Sequence, residues 1–172
     1  MTVSYHSAQI EADPLVPLIR ITRDFAATPA QLFRAHVDPD LFARWVGPDD
    51  VTTRIDHWDA RSGGSFAFSN LRDGEEYRFH GCFHEISPTR LVQTSTYDGW
   101  PEGISLETLT LTDLGDGRTR LVATSLVDSF EARDHWLESG METGVNDGYA
   151  KLDNLLEHGA VVVGHASAEA RR

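Results

Sequence analysis

Three side chains of one predicted strand carry groups that bind metal ions: His80, Cys82 and His84. Imidazole and thiolate groups are the usual zinc ligands in proteins. Alternate residues of a regular strand share one face, so the two histidines would lie about 13 Å apart. A zinc ion binds its ligands at about 2 Å. The spacing therefore predicts no metal site, and we interpret the three residues as a solvent-facing row.

The sequence contains no motif of an established catalytic site. The patterns GxSxG, GxGxxG, GxxxxGK[ST] and HExxH are all absent, so the catalytic residues stay unassigned and no cofactor is expected. An enzyme of the cyclase kind would instead use ionisable groups inside a cavity to orient its substrate and move protons. The polar candidates for that role are His36, Tyr77, Arg78, Tyr97, Glu107, His135 and Tyr149.

Aromatic and apolar side chains are candidates for the wall of a ligand cavity, because small-molecule sites combine apolar walls with few polar groups. A place in a solid core is an equal alternative for each of them. The predicted lining residues are Trp45, Phe66, Phe68, Tyr77, Phe79, Trp136, Met141, Gly144, Val145, Gly148 and Tyr149.

The elements that would position these side chains are a sheet and a long C-terminal helix. Alternating apolar and polar residues predict a first strand at 18–26, and two short helices follow it. Turn-rich connections between the later strands favour antiparallel neighbours, which gives a sheet of about seven strands. The six later strand-like segments are 51–58, 65–70, 76–86, 91–97, 104–113 and 118–127.

The segment 130–158 has apolar residues at steps of three and four, which predicts a long amphipathic helix with a candidate break at Ser139–Gly140. Gly140, Gly144 and Gly148 form a stripe on it. Each glycine inside a helix costs about 1 kcal/mol relative to alanine. Close packing on a neighbour, a cavity wall and a helix-mediated homodimer are three explanations that the sequence leaves open.

The chain is expected to form one domain at 17–159, preceded by a flexible leader at 1–16 and followed by a frayed tail at 160–172. Its net charge of −12 disfavours nucleic acids and anionic membranes as partners. Cys82 is the only cysteine, and no secretory signal or membrane-spanning stretch is visible. We therefore expect a cytoplasmic protein. A homodimer through Trp100, Trp136 or an exposed sheet edge stays open.

Several ordered segments carry a family resemblance. They are TPAQLFRA at 28–35, DP at 38–39, RWVGP at 44–48, SGGSFAF at 62–68, GCFHEISPTRLV at 81–92, SGME at 139–142 and YAKLDNLL at 149–156. In this order they resemble the START/Bet v 1-like (SRPBCC) superfamily, and more narrowly its branch related to the activator of Hsp90 ATPase. The resemblance implies an α+β helix-grip fold, in which a curved antiparallel sheet wraps around the C-terminal helix.

Three functions follow from that fold and that branch. The leading hypothesis is the binding of a small hydrophobic or aromatic ligand between the sheet and the C-terminal helix. The first alternative is an enzyme resembling polyketide cyclases and aromatases, and the second is an interaction module that acts with Hsp90. Because one fold supports many functions, the site must decide among them.

Overall fold

Eight antiparallel strands form one curved sheet in the computed structural model, which describes residues 7–164. Along the sheet the strands lie in the order β1-β2-β8-β7-β6-β5-β4-β3. With the helices against it, this sheet confirms the predicted α+β helix-grip fold. The strands are β1 Gln9–Ala12, β2 Leu18–Phe25, β3 Thr52–Trp58, β4 Ser65–Arg72, β5 Glu75–Ser87, β6 Arg90–Tyr97, β7 Ile104–Gly115 and β8 Arg118–Leu126.

The edge strand β1 lies within the predicted leader at 1–16 and is the eighth strand of a sheet that was predicted to have about seven. Its residues pair with β2, with Gln9 opposite Thr22. The backbone N–H of Ala8 also donates a hydrogen bond of 2.9 Å to Asn146. An edge strand is held by its backbone groups, so it needs no apolar alternation that a sequence could reveal. Residues 1–6 of the predicted leader lie outside the described residues.

Two short helices, α1 Pro29–Val37 and α2 Pro39–Trp45, connect β2 to β3. Thr28 caps α1 through a reciprocal pair of hydrogen bonds with Gln31, and Asp38 caps α2. These caps satisfy backbone N–H groups that the first turn of a helix leaves without partners.

The helix predicted at 130–158 is divided into α3 Phe130–Glu138 and α4 Met141–Glu157. The division lies at the candidate break, where Gly140 has a φ of 86°. That left-handed conformation is accessible to glycine at little cost. Among residues 7–164, no helix is long and apolar enough to span a membrane.

The main core lies between α1, α2, α4 and the β1–β2–β8–β7 half of the sheet. Leu32, Leu121 and Leu152 have no accessible surface in it. Val161 is also buried there, at 3% exposure. The predicted fraying of 160–172 is therefore wrong at Val161, whose apolar side chain gains from burial, while residues 165–172 lie outside the described residues.

Candidate functional site

A cavity of about 400 Å³ lies between the sheet and the helices α2 and α4. One half of its wall is aromatic and comes from α2, β3, β4 and β5. The rings of Phe66 and Phe68 stack at 6.2 Å between centroids, and Phe68 stacks on Phe79 at 5.2 Å. The rings of Phe42 and Trp58 extend this half. These side chains form a continuous apolar surface large enough for an aromatic ligand.

The rings of Phe66 and Phe68 lie at the cavity because side chains alternate along β4 and because β5 has a glycine opposite Phe66. Phe66 and Phe68 are two residues apart on β4, so they share a face. Gly81 on β5 lies opposite Phe66 in the register. A β-carbon at Gly81 would lie 2.8 Å from the Phe66 ring and 1.9 Å from the backbone oxygen of Thr94. The ring therefore occupies space that only glycine leaves free.

The polar side chains of the cavity wall come mainly from β6, β7 and β8, where they lie among apolar residues such as Leu91, Leu109 and Ala123. In the strand register, Gln93 lies opposite Glu107, and Glu107 lies opposite Ser125. Directly opposed residues have neighbouring side chains. The three residues, with Ser95 and Ser105 beside them, line the cavity. We call these five residues the polar row.

Glu107 is the carboxyl group of the polar row. It accepts hydrogen bonds of 2.8 Å from Gln93 and 3.2 Å from Ser105. Burial raises the pKa of the Glu107 carboxyl above its ordinary value, and the two hydrogen bonds only partly oppose this. Among residues 7–164, no lysine or arginine forms an ion pair with it.

His36 brings a neutral imidazole to the same cavity. Its Nδ1 lies 2.7 Å from the carbonyl oxygen of Leu32, so this nitrogen donates and the ring is held in one orientation. The ring packs edge-on against Trp45 at 4.9 Å between centroids. Burial lowers the pKa of His36 to about 4. The side chain is therefore uncharged at neutral pH.

Tyr149 on α4 closes the cavity on the helix side. Its ring packs against Phe25 at 5.2 Å and Trp45 at 6.1 Å between centroids. Burial raises the pKa of the Tyr149 hydroxyl far above its ordinary value. Within residues 7–164, no side chain or backbone group forms a hydrogen bond with that hydroxyl. A bound molecule can therefore use it as a donor or an acceptor.

A wider cleft of about 970 Å³ adjoins the cavity, and we call it the outer cleft. Trp136 and Met141 line both spaces, so the cleft and the cavity share part of their walls. In the outer cleft, Trp100 from the β6–β7 connection packs at 5.3 Å from His135 and 6.3 Å from Trp136. These rings connect the loop to helix α3.

Most of the predicted lining residues are brought together by the fold. Trp45, Phe66, Phe68, Phe79, Trp136, Met141, Val145 and Tyr149 line the cavity. Tyr77 and Gly144 line the outer cleft instead. Gly148 lines neither space, and its prediction as a lining residue is corrected. A β-carbon there would lie 3.0 Å from the backbone oxygen of Trp45, so the position serves close packing of α4 on α2.

The polar side chains that were predicted as candidates also lie in different places. His36, Tyr97, Glu107 and Tyr149 line the cavity. Tyr77 and His135 line the outer cleft. Arg78 is exposed and lies 3.7 Å from Asp98. The cavity is also lined by four polar residues that were not predicted: Gln93, Ser95, Ser105 and Ser125. Their alternation with outward residues on β6, β7 and β8 was the only available signal.

The row His80, Cys82 and His84 is exposed. His80 Nδ1 lies 2.5 Å from the Asp98 carboxylate. Among the residues that the structure describes, no group of three or more histidine, cysteine, aspartate or glutamate side chains could hold a metal ion. The cavity itself contributes imidazole, carboxyl, phenol and hydroxyl groups, which can exchange hydrogen bonds or protons with an organic molecule.

Comparison with known proteins identifies the family. The family model described as Activator of Hsp90 ATPase homolog 1-like protein matches residues 26–157. No curated protein matches the sequence.

Solved structures from several organisms share the fold. A solution structure from Arthrobacter aurescens is 23% identical, covers 96% of this chain and 100% of its own, and has a TM-score of 0.81. A crystal structure from Rhodobacter sphaeroides is 27% identical, with coverage of 91% and 100% and a TM-score of 0.79. An HSP90 activator from Plasmodium falciparum is 20% identical, with coverage of 81% and 96% and a TM-score of 0.59.

Proposed function

The chain belongs to the family of Activator of Hsp90 ATPase homolog 1-like proteins, and from that premise we propose that it binds a small hydrophobic or aromatic molecule in the cavity. The observation that carries this proposal is the cavity of about 400 Å³ with its aromatic wall. Ligand sites typically measure about 300–1,000 Å³ and combine apolar walls with a few polar groups. A solid core would have left no such volume.

The composition of the wall narrows the class of ligand. Aromatic rings favour offset or edge-on contacts with other rings, and the stacked Phe66, Phe68 and Phe79 present such surfaces. The polar row faces them with acceptors and hydroxyl groups. An aromatic molecule that carries polar substituents on one side fits this division.

Native mass spectrometry of freshly purified protein tests the proposal, because it reports a retained ligand and the oligomeric state together. Binding of the neutral fluorescent probe N-phenyl-1-naphthylamine provides a second measurement. The variant Val145→Trp fills the cavity from α4 and should abolish the increase in fluorescence. Thr143→Trp places the same side chain at an exposed position of α4 and should retain it. Equal binding by both variants would contradict a site in the cavity.

The enzyme alternative has its own structural support. His36, Glu107 and Tyr149 line the same cavity, and the environment shifts the pKa of each one. Shifted ionisable groups in a cleft are typical of proton-transfer sites. A linear poly-β-ketothioester that cyclises faster with the protein than without it would support this function. The acceleration should then be lost in both Glu107→Gln and His36→Asn.

The co-chaperone alternative rests on the family to which the chain belongs and on its structural similarity to the HSP90 activator from Plasmodium falciparum. It predicts that the protein stimulates the ATPase activity of Hsp90. The ATPase rate of Hsp90 should be measured at a saturating concentration of this protein. An unchanged rate would contradict the co-chaperone function and leave the ligand-binding proposal intact.

A further inference from the structure

Glu107 is the only carboxyl group among the described residues that line the cavity. Among the described residues that line it, none is a lysine or arginine, and its histidine is neutral. Arg23, a buried cation 5.7 Å from the centroid of the Tyr149 ring, donates bonds of 3.0 Å and 2.5 Å to the Asp153 carboxylate. Asp153 therefore balances the Arg23 charge, while the Glu107 carboxylate has no ion-pair partner within residues 7–164.

The Glu107 carboxylate can accept more hydrogen bonds than the described residues donate to it. A carboxylate has about four acceptor positions, and the protein supplies donors from Gln93 and Ser105. The Ser105 hydroxyl carries a single proton, and the carbonyl oxygen of Ser95 lies 3.3 Å away as a competing acceptor. When Ser105 donates to Ser95, Gln93 is the one remaining donor to the carboxylate among residues 7–164.

From this juxtaposition we propose that the cavity selects an aromatic amine, whose protonated nitrogen binds the Glu107 carboxylate while its rings pack on Phe66, Phe68 and Phe79. The inference deepens the proposed function and rests on it. Charge-assisted hydrogen bonds are stronger than neutral ones, particularly where water is excluded. An aromatic carboxylic acid would place a second negative charge beside Glu107, so the same geometry rejects it.

The overall charge of the chain also favours a cation. The net charge of the chain is −12, which raises the local concentration of cations around it. Burial raises the pKa of Glu107 and so favours its neutral form when no cation lies beside it. A cationic partner would stabilise the ionised carboxylate and reverse that shift.

Four probes that share one ring system test the proposal by calorimetry at neutral pH: 1-naphthylmethylamine, 1-naphthylmethanol, 1-methylnaphthalene and 1-naphthoic acid. We expect the amine to bind at least tenfold more tightly than the hydrocarbon, and the acid at least tenfold more weakly. In Glu107→Gln, the advantage of the amine over the hydrocarbon should disappear, while the affinity for the hydrocarbon changes less than twofold. Glu157→Gln removes the same charge at an exposed position of α4 and should retain all four affinities.

The outcomes separate this proposal from the function on which it rests. If the hydrocarbon binds and the amine has no advantage, amine selection is wrong while the ligand cavity stands. The same conclusion follows if the alcohol binds as tightly as the amine, because the carboxylate would then select a donor and not a charge. If none of the four probes binds, the proposed function fails together with the inference.

Discussion

A β-carbon placed on Gly148 would lie 3.0 Å from the backbone oxygen of Trp45, the last residue of α2. The ring of Trp45 lines the cavity and donates a hydrogen bond of 2.9 Å from Nε1 to the carbonyl oxygen of Ala35. The absence of a side chain at Gly148 therefore allows α4 to approach α2 this closely. Because Trp45 is part of the cavity wall, the same contact determines the position of one side of the site.

Alanine substitution of two glycines on α4 should have opposite effects on stability. A helix gains about 1 kcal/mol from Gly→Ala through backbone propensity alone. At Gly148 the added methyl group meets a backbone oxygen, and overpacking of this kind costs about 1–3 kcal/mol. We expect Gly148→Ala to lower the free energy of unfolding by about 1 kcal/mol, as measured by urea denaturation.

Gly144→Ala is the matched control for that substitution. Its β-carbon would lie 3.5 Å from the Pro48 side chain, which is an ordinary contact. The gain in helix propensity should then remain, and the free energy of unfolding should rise by up to about 1 kcal/mol. Equal stabilisation by both substitutions would show that α4 does not depend on close approach at Gly148.

Removing a charge from the buried pair Arg23–Asp153 should lower the free energy of unfolding more than removing a charge from an exposed pair. Their side chains are 6% and 7% exposed, and the Arg23 guanidinium also lies 4.4 Å from the centroid of the Phe25 ring. Removing one partner of a buried pair typically costs about 3–5 kcal/mol. We expect Asp153→Asn to lower the free energy of unfolding by about 3 kcal/mol in guanidinium denaturation.

An exposed pair offers the comparison. Asp24 accepts bonds of 2.8 Å and 2.9 Å from Arg120 on the outer side of the sheet. Exposed pairs contribute at most about 1 kcal/mol, so Asp24→Asn should have a small effect. Losses of similar size in the two variants would argue that burial adds nothing to the Arg23–Asp153 pair.

His36 should make the fold sensitive to acid. Its pKa is about 4 in the folded protein against an ordinary 6.5, so the unfolded chain binds the proton more readily. Its contribution to stability is complete above pH 6.5 and falls as the pH drops toward 4, by up to about 3 kcal/mol. Urea denaturation at several pH values should show this loss, and His36→Asn should reduce it.

His158 provides a histidine that serves as the control for that pH series. It makes the same kind of bond, 2.8 Å from Nδ1 to the carbonyl oxygen of Asn154, but its side chain is exposed. His158→Asn should therefore leave the acid dependence unchanged. If His36→Asn also left it unchanged, the imidazole in the cavity wall would not be held in its neutral form.

The sequence predicted most of the sheet and the helices because their signals are local. Alternation predicted the central strands, and Thr28–Pro29 marked the start of α1 through a cap and a proline at the first helical position. The edge strand β1 was missed because its residues are mostly exposed and are held by backbone pairing with β2. Local apolar patterns carry no information about such pairing.

The aromatic side of the candidate site was predicted from the sequence, whereas on its polar side Glu107 was among the candidates and Gln93 was not. Phe66 and Phe68 were identified because aromatic residues on an alternating strand face the interior. Gln93 and Glu107 resemble ordinary surface residues, and their meeting depends on the pairing of β6 with β7. The role of Gly148 depends on where α2 ends relative to α4, which only the tertiary structure determines.

Glu107 should lower stability at neutral pH, because burial penalises its ionised form. Its pKa is higher in the folded protein than in the unfolded chain, so its stabilising contribution is complete at acid pH. That contribution is lost as the pH rises through the folded pKa. A glutamine at this position stays neutral, so Glu107→Gln should become progressively more stable than the natural protein as the pH rises from about 4.5 to 7. Urea denaturation across that range measures the difference. A constant difference at all pH values would show that burial does not penalise the carboxylate, which would also weaken its assignment as an unpaired charge in the cavity.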